Sequence, residues 1–424
     1  MLASGIFGVD IRQSMAFQIF AITASLLLAA VLATLSFPAK FRITRILPQF
    51  ATVNQSLKYQ VQIENLGKHK QSDLLFIDEL DAVLPDYLEF SNSRDPQDLK
   101  RNRFDRIIGY PRLMGLIRNK RGGTIQPLHV EAIAANDNAE LNVELFPCRR
   151  GYIHFASARI CRPDPLGLIR AIKDYQQKNT LLILPQTYKA PKIDLKGLRK
   201  YQHGGMNQAS AVGDSQEFMS LRDYRPGDPL RAIHWRSYAK TGSPVVKEFH
   251  DEFFVRQGLI LDTFQEQKSR EVFEEAISVA ASFCLSLPGQ DSLLDLMFVG
   301  DKAYRFTSGR GLGQADNMLE ILACTRACDT DTFSTLHELI PAYSEETSGM
   351  ICILLDWDDK RQRLVEAIIM AGIPVLVFLL VDANVKADFE PGPLKLHPER
   401  FITLSCGSIQ SSFDELNRFS LKKE

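Results

Sequence analysis

The chain of 424 residues carries 50 basic and 51 acidic residues, a net charge of −1, and 45% of its residues are hydrophobic. This length is typical of two or three domains with substantial cores. The balanced charge argues against a protein that binds nucleic acid over its whole surface, because such proteins carry a basic excess.

An uncharged segment near the N-terminus predicts a transmembrane helix. Residues 15–37 read MAFQIFAITASLLLAAVLATLSF, which is long enough to cross a hydrocarbon core of about 30 Å. A cleaved signal peptide is the alternative, but the apolar stretch is longer than a usual signal core and lacks a convincing small-x-small cleavage site. Before the segment there is only Arg12, and the basic residues that follow it are Lys40, Arg42, Arg45 and Lys58. The positive-inside rule then predicts a single-pass inner-membrane protein whose bulk is cytoplasmic.

The seven cysteines indicate a reducing compartment. Their number is odd and they form no C-x-x-C pair, so a disulfide framework is not expected. Cys324 and Cys328 share an i,i+4 spacing on a predicted helix, for which two small core residues are favoured over a metal site.

Residues 40–185 alternate apolar and polar side chains, which is typical of half-buried strands. Tyr59, Val61 and Ile63 fall on one face of such a strand, with Gln60 and Gln62 on the other. Further strands are predicted at 128–133, 140–146, 152–160 and 180–184. The pattern predicts an antiparallel β-sandwich.

A basic segment at 94–122 interrupts this sandwich. Arg103, Arg106 and Arg118 alternate there with apolar residues such as Phe104 and Ile107. A solvated loop or hairpin is the favoured interpretation, because charge runs commonly mark a solvated face. Contact with anionic lipid and contact with nucleic acid are the alternatives.

Residues 186–250 are predicted to be a polar, glycine-containing linker followed by the most particular run of residues in the chain. Residues 217–240 read EFMSLRDYRPGDPLRAIHWRSYAK, a dense set of opposite charges around two aromatic residues. We expect Asp228 to cap a helix that begins at Pro229, and Trp235 to be buried. Arginines beside carboxylates favour bidentate ion pairs that fix a turn or dock a partner.

This run resembles the signature of the domain of unknown function 58 family of bacterial membrane-attached proteins. The pattern E-F-x-x-L-R-x-Y-x-x-G-D-x-x-R-x-I-x-W, an Ala-Lys pair and a V-K-x-F segment are all present between Glu217 and Phe249. Upstream, Arg150-Gly151-Tyr152 and Asp164-Pro165-Leu166-Gly167-Leu168 are similar to two further family elements. The candidate binding or structural residues are Glu217, Arg222, Tyr224, Gly227, Asp228, Arg231, Trp235, Lys240 and Lys247.

Residues 251–424 predict an α/β domain with a doubly wound parallel sheet, because short apolar strands alternate with helical spacing. This half resembles a von Willebrand factor type A domain, which commonly holds Mg²⁺ through a D-x-S-x-S loop after its first strand. Here Phe264 and Glu266 stand at the two serine positions, so the prediction is that no metal or other cofactor binds. A Mg²⁺ site on Asp262, Thr263 and Glu266 is the alternative.

These observations favour a membrane-anchored interaction or adaptor protein over an enzyme. The family resemblance implies a MoxR-type AAA+ ATPase as the protein partner. Two alternatives stay open. The first is a metal-dependent hydrolase that uses Asp228, His234 and Glu217 as an acid–base constellation. The second is a lipid or nucleic-acid binder acting through 94–122.

Overall fold

The protein is described here from a computed structural model. The structure describes residues 15–420 except 36, 38–39, 82, 94–100, 192, 194–217, 227, 229, 231–232, 250–254, 265–269, 287–291, 300–302, 309–311, 329–346 and 384–388. The chain divides into two compact units, Met1–Gln186 and Thr187–Glu424.

The first unit begins with the predicted apolar helix, α1 (Met15–Leu35). Its segment Phe17–Thr34 has a mean hydropathy of 2.1 and is long and apolar enough to cross a membrane. Leu28 and Leu32 remain exposed, unlike the side chains of a core helix in a soluble domain. Thr23 and Thr34 bond back to carbonyls of their own helix, which satisfies their hydroxyls in an apolar medium. The helix supports association with a membrane.

After α1 the first unit forms two facing sheets, as the alternation predicts. One has the strand order β1-β3-β7-β5 and the other β2-β9-β8-β4-β6. The strands are β1 (Phe41–Ile46), β2 (Phe50–Thr52), β3 (Leu57–Asn65), β4 (Leu74–Leu80), β5 (Gly123–Ile125), β6 (Leu128–Val130), β7 (Asn138–Pro147), β8 (Gly151–Pro163) and β9 (Arg170–Leu184). Tyr59, Val61 and Ile63 are all buried in the core between the sheets. Strands β8 and β9 are longer than the sequence predicted, and β2 pairs with β9 in parallel, which departs from the predicted antiparallel arrangement.

A buried ion pair crosses this core. The guanidinium of Arg45 donates to both carboxylate oxygens of Asp78, with a closest contact of 2.6 Å, and both side chains are fully buried. The Tyr59 hydroxyl donates to the same carboxylate, and burial together with that anion raises the pKa of Tyr59. Because the remaining oxygens and N–H groups find partners, the charges are tolerated inside the sandwich.

The segment predicted as a loop or hairpin at 94–122 is helical over its described part, so that prediction is wrong. Helix α2 (Tyr87–Asn92) precedes it, and α3 (Arg103–Ile108) and α4 (Tyr110–Arg121) lie within it. Asn102 caps α3, because its side-chain oxygen accepts a hydrogen bond from the Asp105 amide. Gly109 and Gly122 end α3 and α4 in the left-handed region, a conformation that favours glycine. These capping residues indicate helices, and they were a better guide to the structure of this segment than its run of basic residues.

The second unit contains a six-stranded sheet with the order β14-β13-β12-β15-β16-β17. All neighbours pair in parallel except β13 and β14, which are antiparallel. The strands are β12 (Val255–Leu261), β13 (Ser292–Val299), β14 (Ala303–Ser308), β15 (Gly349–Leu354), β16 (Val375–Val381) and β17 (Phe401–Ser405). The predicted alternation of strands and helices is present, and the antiparallel edge strand β14 is an addition to it.

Helices pack on both faces of this sheet. They are α6 (Arg270–Ser286), α7 (Leu312–Cys324), α8 (Asp359–Met370) and α9 (Ile409–Ser420). Leu364 and Ile368 of α8 pack against Val377 on one face. On the opposite face, Phe283 of α6 lies 5.3 Å from Phe378, ring centre to ring centre. Alternate residues of the buried strand β16 therefore contribute to two cores, as in a doubly wound fold.

Candidate functional site

The signature run forms a small antiparallel hairpin, which we call the signature hairpin (residues 218–249). Strand β10 (Phe218–Asp223) pairs with β11 (Val245–Phe249), and helix α5 (Trp235–Thr241) lies between them in sequence. Ile233 bridges to Val246, and both side chains are buried. This apolar contact ties the segment just before α5 to strand β11.

An ion pair clamps the turn after β10. Both terminal nitrogens of Arg222 donate to the Asp228 carboxylate, at 2.8 and 2.9 Å. The Arg225 amide donates to the same carboxylate at 2.9 Å. The hydrogen bond from Arg222 is the largest influence that lowers the pKa of Asp228, to about 2. This bidentate geometry fixes the turn because it orients both side chains.

The predicted start of a helix at Pro229, with Asp228 as its cap, lies outside the described residues. Helix α5 begins at Trp235, with His234 at its cap position and no side-chain capping bond. The carboxylate is instead occupied by Arg222 and the Arg225 amide. Arg222, six residues upstream, binds the carboxylate for which the sequence had suggested a capping role. The residue pattern also allowed this ion pair.

The expected burial of Trp235 is also wrong. Its side chain is 61% exposed, and its ring lies 6.1 Å from that of Tyr238 in an edge-on arrangement. Tyr238 is 40% exposed. We call these two residues the aromatic pair. Exposed Trp and Tyr side chains side by side are the composition that protein-binding surfaces favour.

The acid–base constellation considered for a hydrolase is not assembled among the described residues. Nδ1 of His234 lies 2.7 Å from the Ser237 hydroxyl, within reach of a base and a nucleophile. This contact joins the cap position of α5 to its third residue. Within the described part of the chain no carboxylate contacts the His234 ring, and Asp228 is bound to Arg222.

The other signature residues are placed as follows. Tyr224 is half-buried, and its amide donates to the Pro244 carbonyl at 3.0 Å. Lys240 is exposed on α5. The backbone of Lys247 pairs with Leu221 in the hairpin, while its side chain is outside the described part. Glu217, Gly227 and Arg231 lie outside the described residues.

The end of strand β12 carries a second ion pair. Asp262 is 1% exposed, and Nε of Arg361 in α8 donates to its carboxylate at 2.7 Å. The amides of Phe264 and Leu355 donate to the same carboxylate. Burial raises the pKa of Asp262, and the contact with Arg361 works against that shift. A protein cation thus stands at the carboxylate that a Mg²⁺ ion would use.

The predicted metal site has the following placement. Thr263 is buried, and its carbonyl accepts from the Cys328 amide. Glu266 lies outside the described residues. Over the described residues, no three His, Cys, Asp or Glu side chains group as metal ligands. Helix α7 ends at Cys324, so Cys328 does not continue the helix on which an i,i+4 pair was expected.

Sequence reasoning missed Arg361, although a signal for it exists. The residue lies in the first turn of α8, which Asp358 caps through the Arg361 amide. A cation there opposes the helix dipole, so an arginine at this position indicates a specific anionic partner. Its guanidinium also contacts the Asp358 carboxylate at 2.7 Å and the Phe264 carbonyl at 3.1 Å.

Comparison with protein families identifies the signature. Residues 220–348 match the family described as "Protein of unknown function DUF58". This match supports the resemblance expected from the residue pattern over that range. The chain is also 28% identical over 196 residues to the "Uncharacterized protein YeaD" of Bacillus subtilis, a region covering 46% of this chain and 48% of that relative. The match spans about half the length of the relative.

Solved structures show only distant likeness. An aerotolerance-related membrane protein from Bacteroides fragilis is 11% identical with a TM-score of 0.26, covering 40% of this chain and 99% of its own. Proximal thread matrix protein 1 of the mussel byssus is 10% identical with a TM-score of 0.28, covering 39% and 46%. Scores this low carry no argument about function.

Proposed function

We propose that this chain is a membrane-anchored member of the DUF58 family that binds a protein partner through its signature hairpin. The observation that carries the proposal is the contrast within the hairpin. Its turn is held by the Arg222–Asp228 clamp, yet Trp235 is left 61% exposed. An exposed tryptophan on a preorganised support loses little conformational entropy when a partner covers it.

The partner that we propose is a MoxR-type AAA+ ATPase, with this chain acting as its adaptor. The support is the likeness of the signature run to the DUF58 family, joined to a helix long and apolar enough to span a membrane. An adaptor needs a docking surface and an anchor. It needs no catalytic constellation of its own.

We further propose that the six-stranded unit is a von Willebrand factor type A-like domain that does not use a metal. Its strand order, written from β12 as the first strand, is 3-2-1-4-5-6, the order of doubly wound folds that bind ligands at the switch between strands 1 and 4. Asp262 ends the first of those strands, and its carboxylate is bonded to Arg361. The ligand position is therefore taken by a residue of the same chain.

A capture experiment tests the adaptor proposal. The full chain is purified from detergent-solubilised membranes as the wild type, as Trp235→Ala and as Leu396→Ala. Leu396 is 89% exposed in the same unit, so its replacement removes a comparable apolar side chain outside the signature hairpin. We expect the ATPase to copurify with wild type and Leu396→Ala, and at least about tenfold less with Trp235→Ala, as for a binding hot spot. Equal recovery with all three would refute docking at the aromatic pair.

Topology is tested separately. We propose that α1 crosses the inner membrane once and leaves the bulk of the chain in the cytoplasm, on the strength of the basic residues that follow it. A C-terminal alkaline phosphatase fusion should then be inactive, and a C-terminal fluorescent protein should be bright. An active phosphatase fusion would place the bulk on the other side.

A further inference from the structure

The hairpin of β8 and β9 extends beyond the sandwich on the side where the anchor enters. Its pairing runs to Pro163 and Arg170, two residues past Cys161, where the recorded pairing with the neighbouring strand β4 begins at Leu75. The Phe41 amide, at the start of β1, donates to the Tyr175 hydroxyl at 3.1 Å. Arg170 is five positions from Tyr175, so the hairpin reaches about 16 Å past the Phe41 amide at 3.3 Å per residue.

The anchor helix lies against the same hairpin. Helix α1 packs against β9, and Ala30 of α1 is only 1% exposed. The guanidinium of Arg162, in β8, stacks over the Phe37 ring at 4.7 Å. Ala30 precedes the end of the apolar segment at Thr34 by four residues, or about 6 Å of helix. The covered part of α1 is therefore inside the apolar segment.

The tip of the hairpin is a closed turn with apolar side chains on its outside. The Asp164 carboxylate accepts the amides of Leu166 at 2.9 Å and Ile169 at 2.6 Å. The amide of Ile169 is the largest influence that lowers the pKa of Asp164. Gly167 takes a φ of 69°, which favours glycine. Leu166 and Leu168 are 50% and 57% exposed.

The residues beside this tip suit a lipid headgroup region. Ile172 is 59% exposed, and Arg170 and Lys173 are exposed next to it. Outward leucines flanked by basic side chains are the composition of segments that lie at the boundary of headgroups and acyl chains.

We propose that this hairpin tip, Asp164–Ile169, inserts Leu166 and Leu168 into the lipid interface beside α1, with Arg170 and Lys173 facing anionic headgroups. The proposal rests on the proposed membrane anchoring of α1. It gives the element Asp164-Pro165-Leu166-Gly167-Leu168 a role, since a rigid turn holds two leucines at the depth of the last turns of the anchor. The unit then contacts the membrane at two points, which fixes its tilt.

The basic helical segment at 94–122 does not compete for this position. It leaves the sandwich after Leu80, which pairs with Phe155, and returns at Gly123, which pairs with Pro147. Both points are at the end of the strands opposite Phe41 and Pro163. Lipid contact by 94–122 is therefore disfavoured by the strand order within the unit.

Photocrosslinking in the membrane tests the proposal. The full chain is reconstituted into vesicles of phosphatidylethanolamine and phosphatidylglycerol with p-benzoylphenylalanine in place of Leu168, Leu28 or Leu84. Leu28 reports the anchor helix, and Leu84, 71% exposed at the opposite end of the unit, is the matched control. We expect lipid adducts from position 168 within about threefold of those from position 28, and about tenfold above position 84, for a side chain seated at the interface.

The three positions separate the possible failures. Adducts from position 28 without adducts from position 168 would overturn the hairpin contact and leave the anchor intact. An absence of adducts from both positions would overturn the anchoring and the hairpin contact together. Crosslinks from position 168 to a second copy of the chain, in place of lipid, would overturn the proposal by identifying the tip as a protein interface.

Discussion

Two aspartate–arginine pairs of the second unit, Asp262–Arg361 and Asp228–Arg222, use the same chemistry in opposite surroundings. Asp262 and Arg361 have side chains that are 0% and 4% exposed, whereas Asp228 and Arg222 are 16% and 34% exposed. In the interior the pair occupies a strand end, where the Arg361 guanidinium contacts the Asp262 carboxylate. At the surface the pair fixes a turn and leaves its aromatic neighbours accessible. We therefore expect the first pair to contribute mainly to stability, whereas the second supports the proposed binding surface.

The largest expected effect is the loss of the buried carboxylate. Asp262→Ala leaves the buried Arg361 charge without the carboxylate that its Nε contacts, and should lower the free energy of unfolding by about 3–5 kcal/mol. Asp359→Ala, which removes an exposed charge from the same helix start, is the control and should change it by less than about 0.5 kcal/mol. Thermal and denaturant melts of both variants measure the difference.

A metal role for Asp262 predicts a different pattern. If Asp262 served Mg²⁺, wild type and Asp262→Ala would unfold alike in the presence of a chelator, and Mg²⁺ would stabilise only the wild type. We expect Mg²⁺ to change neither melt. A stabilisation by Mg²⁺ that disappears in Asp262→Ala would restore the metal site.

The surface clamp should matter less for global stability. Arg222→Ala should shift the unfolding free energy by less than roughly a third of the Asp262→Ala effect, because partly exposed pairs are screened by solvent. Its main consequence should be local opening of the signature hairpin, seen as faster proteolysis between Phe218 and Phe249. Unchanged proteolysis would mean that the apolar contact of Ile233 and Val246 suffices to hold the hairpin.

The same clamp has a defined pH dependence. The folded pKa of Asp228 is lowered to about 2, below an unfolded value of about 3.9. The contribution of the clamp is therefore present above that unfolded value and is lost as pH falls towards 2. Carboxyl ¹³C shifts of Asp228 in detergent should titrate near the lower value in wild type and move up in Arg222→Ala. An equal midpoint in both would remove Arg222 as the cause.

The smallest expected effect on stability is that of Trp235→Ala. Because the side chain is 61% exposed, its truncation should change the unfolding free energy by less than about 0.5 kcal/mol. Trp357 is 8% exposed and donates to the Glu390 carbonyl, so Trp357→Ala should cost several times more, as core truncations do. Comparable losses for the two tryptophans would show that a surface covers Trp235.

Sequence reasoning succeeded where one periodicity decides the structure. Tyr59, Val61 and Ile63 alternate inward as the two-residue period requires, and the apolar run at Val375–Val381 is buried on both faces. It does not decide between two local options that compete for one side chain. Asp228 was able to cap a helix or bind Arg222, and composition does not rank these, because the energies differ by only a few kcal/mol.

The burial of Trp235 was predicted wrongly, and the role of Arg361 was missed, because both depend on contacts that are distant in sequence. The exposure of Trp235 depends on what packs over it, which no local pattern contains. Arg361 and Asp262 are 99 positions apart in sequence, so only the meeting of α8 with the end of β12 reveals their contact. Helix caps such as Asn102 and Gly109 can be recognised from the sequence alone. The loop was predicted instead because basic residues surround them.

The β-sandwich has a mechanical consequence. The chain enters it at Phe41 and leaves it at Leu184, and Arg45 of β1 binds the carbonyl of Gln177 in β9, so β1 and β9 advance in the same direction. Nine residues from Tyr175 to Leu184 place the exit about 30 Å from the entry. A pull on the second unit against the anchor would load these strands lengthwise. Ladder hydrogen bonds perpendicular to the strands then resist together instead of parting one by one, so the sandwich is suited to bear a load between its two chain ends.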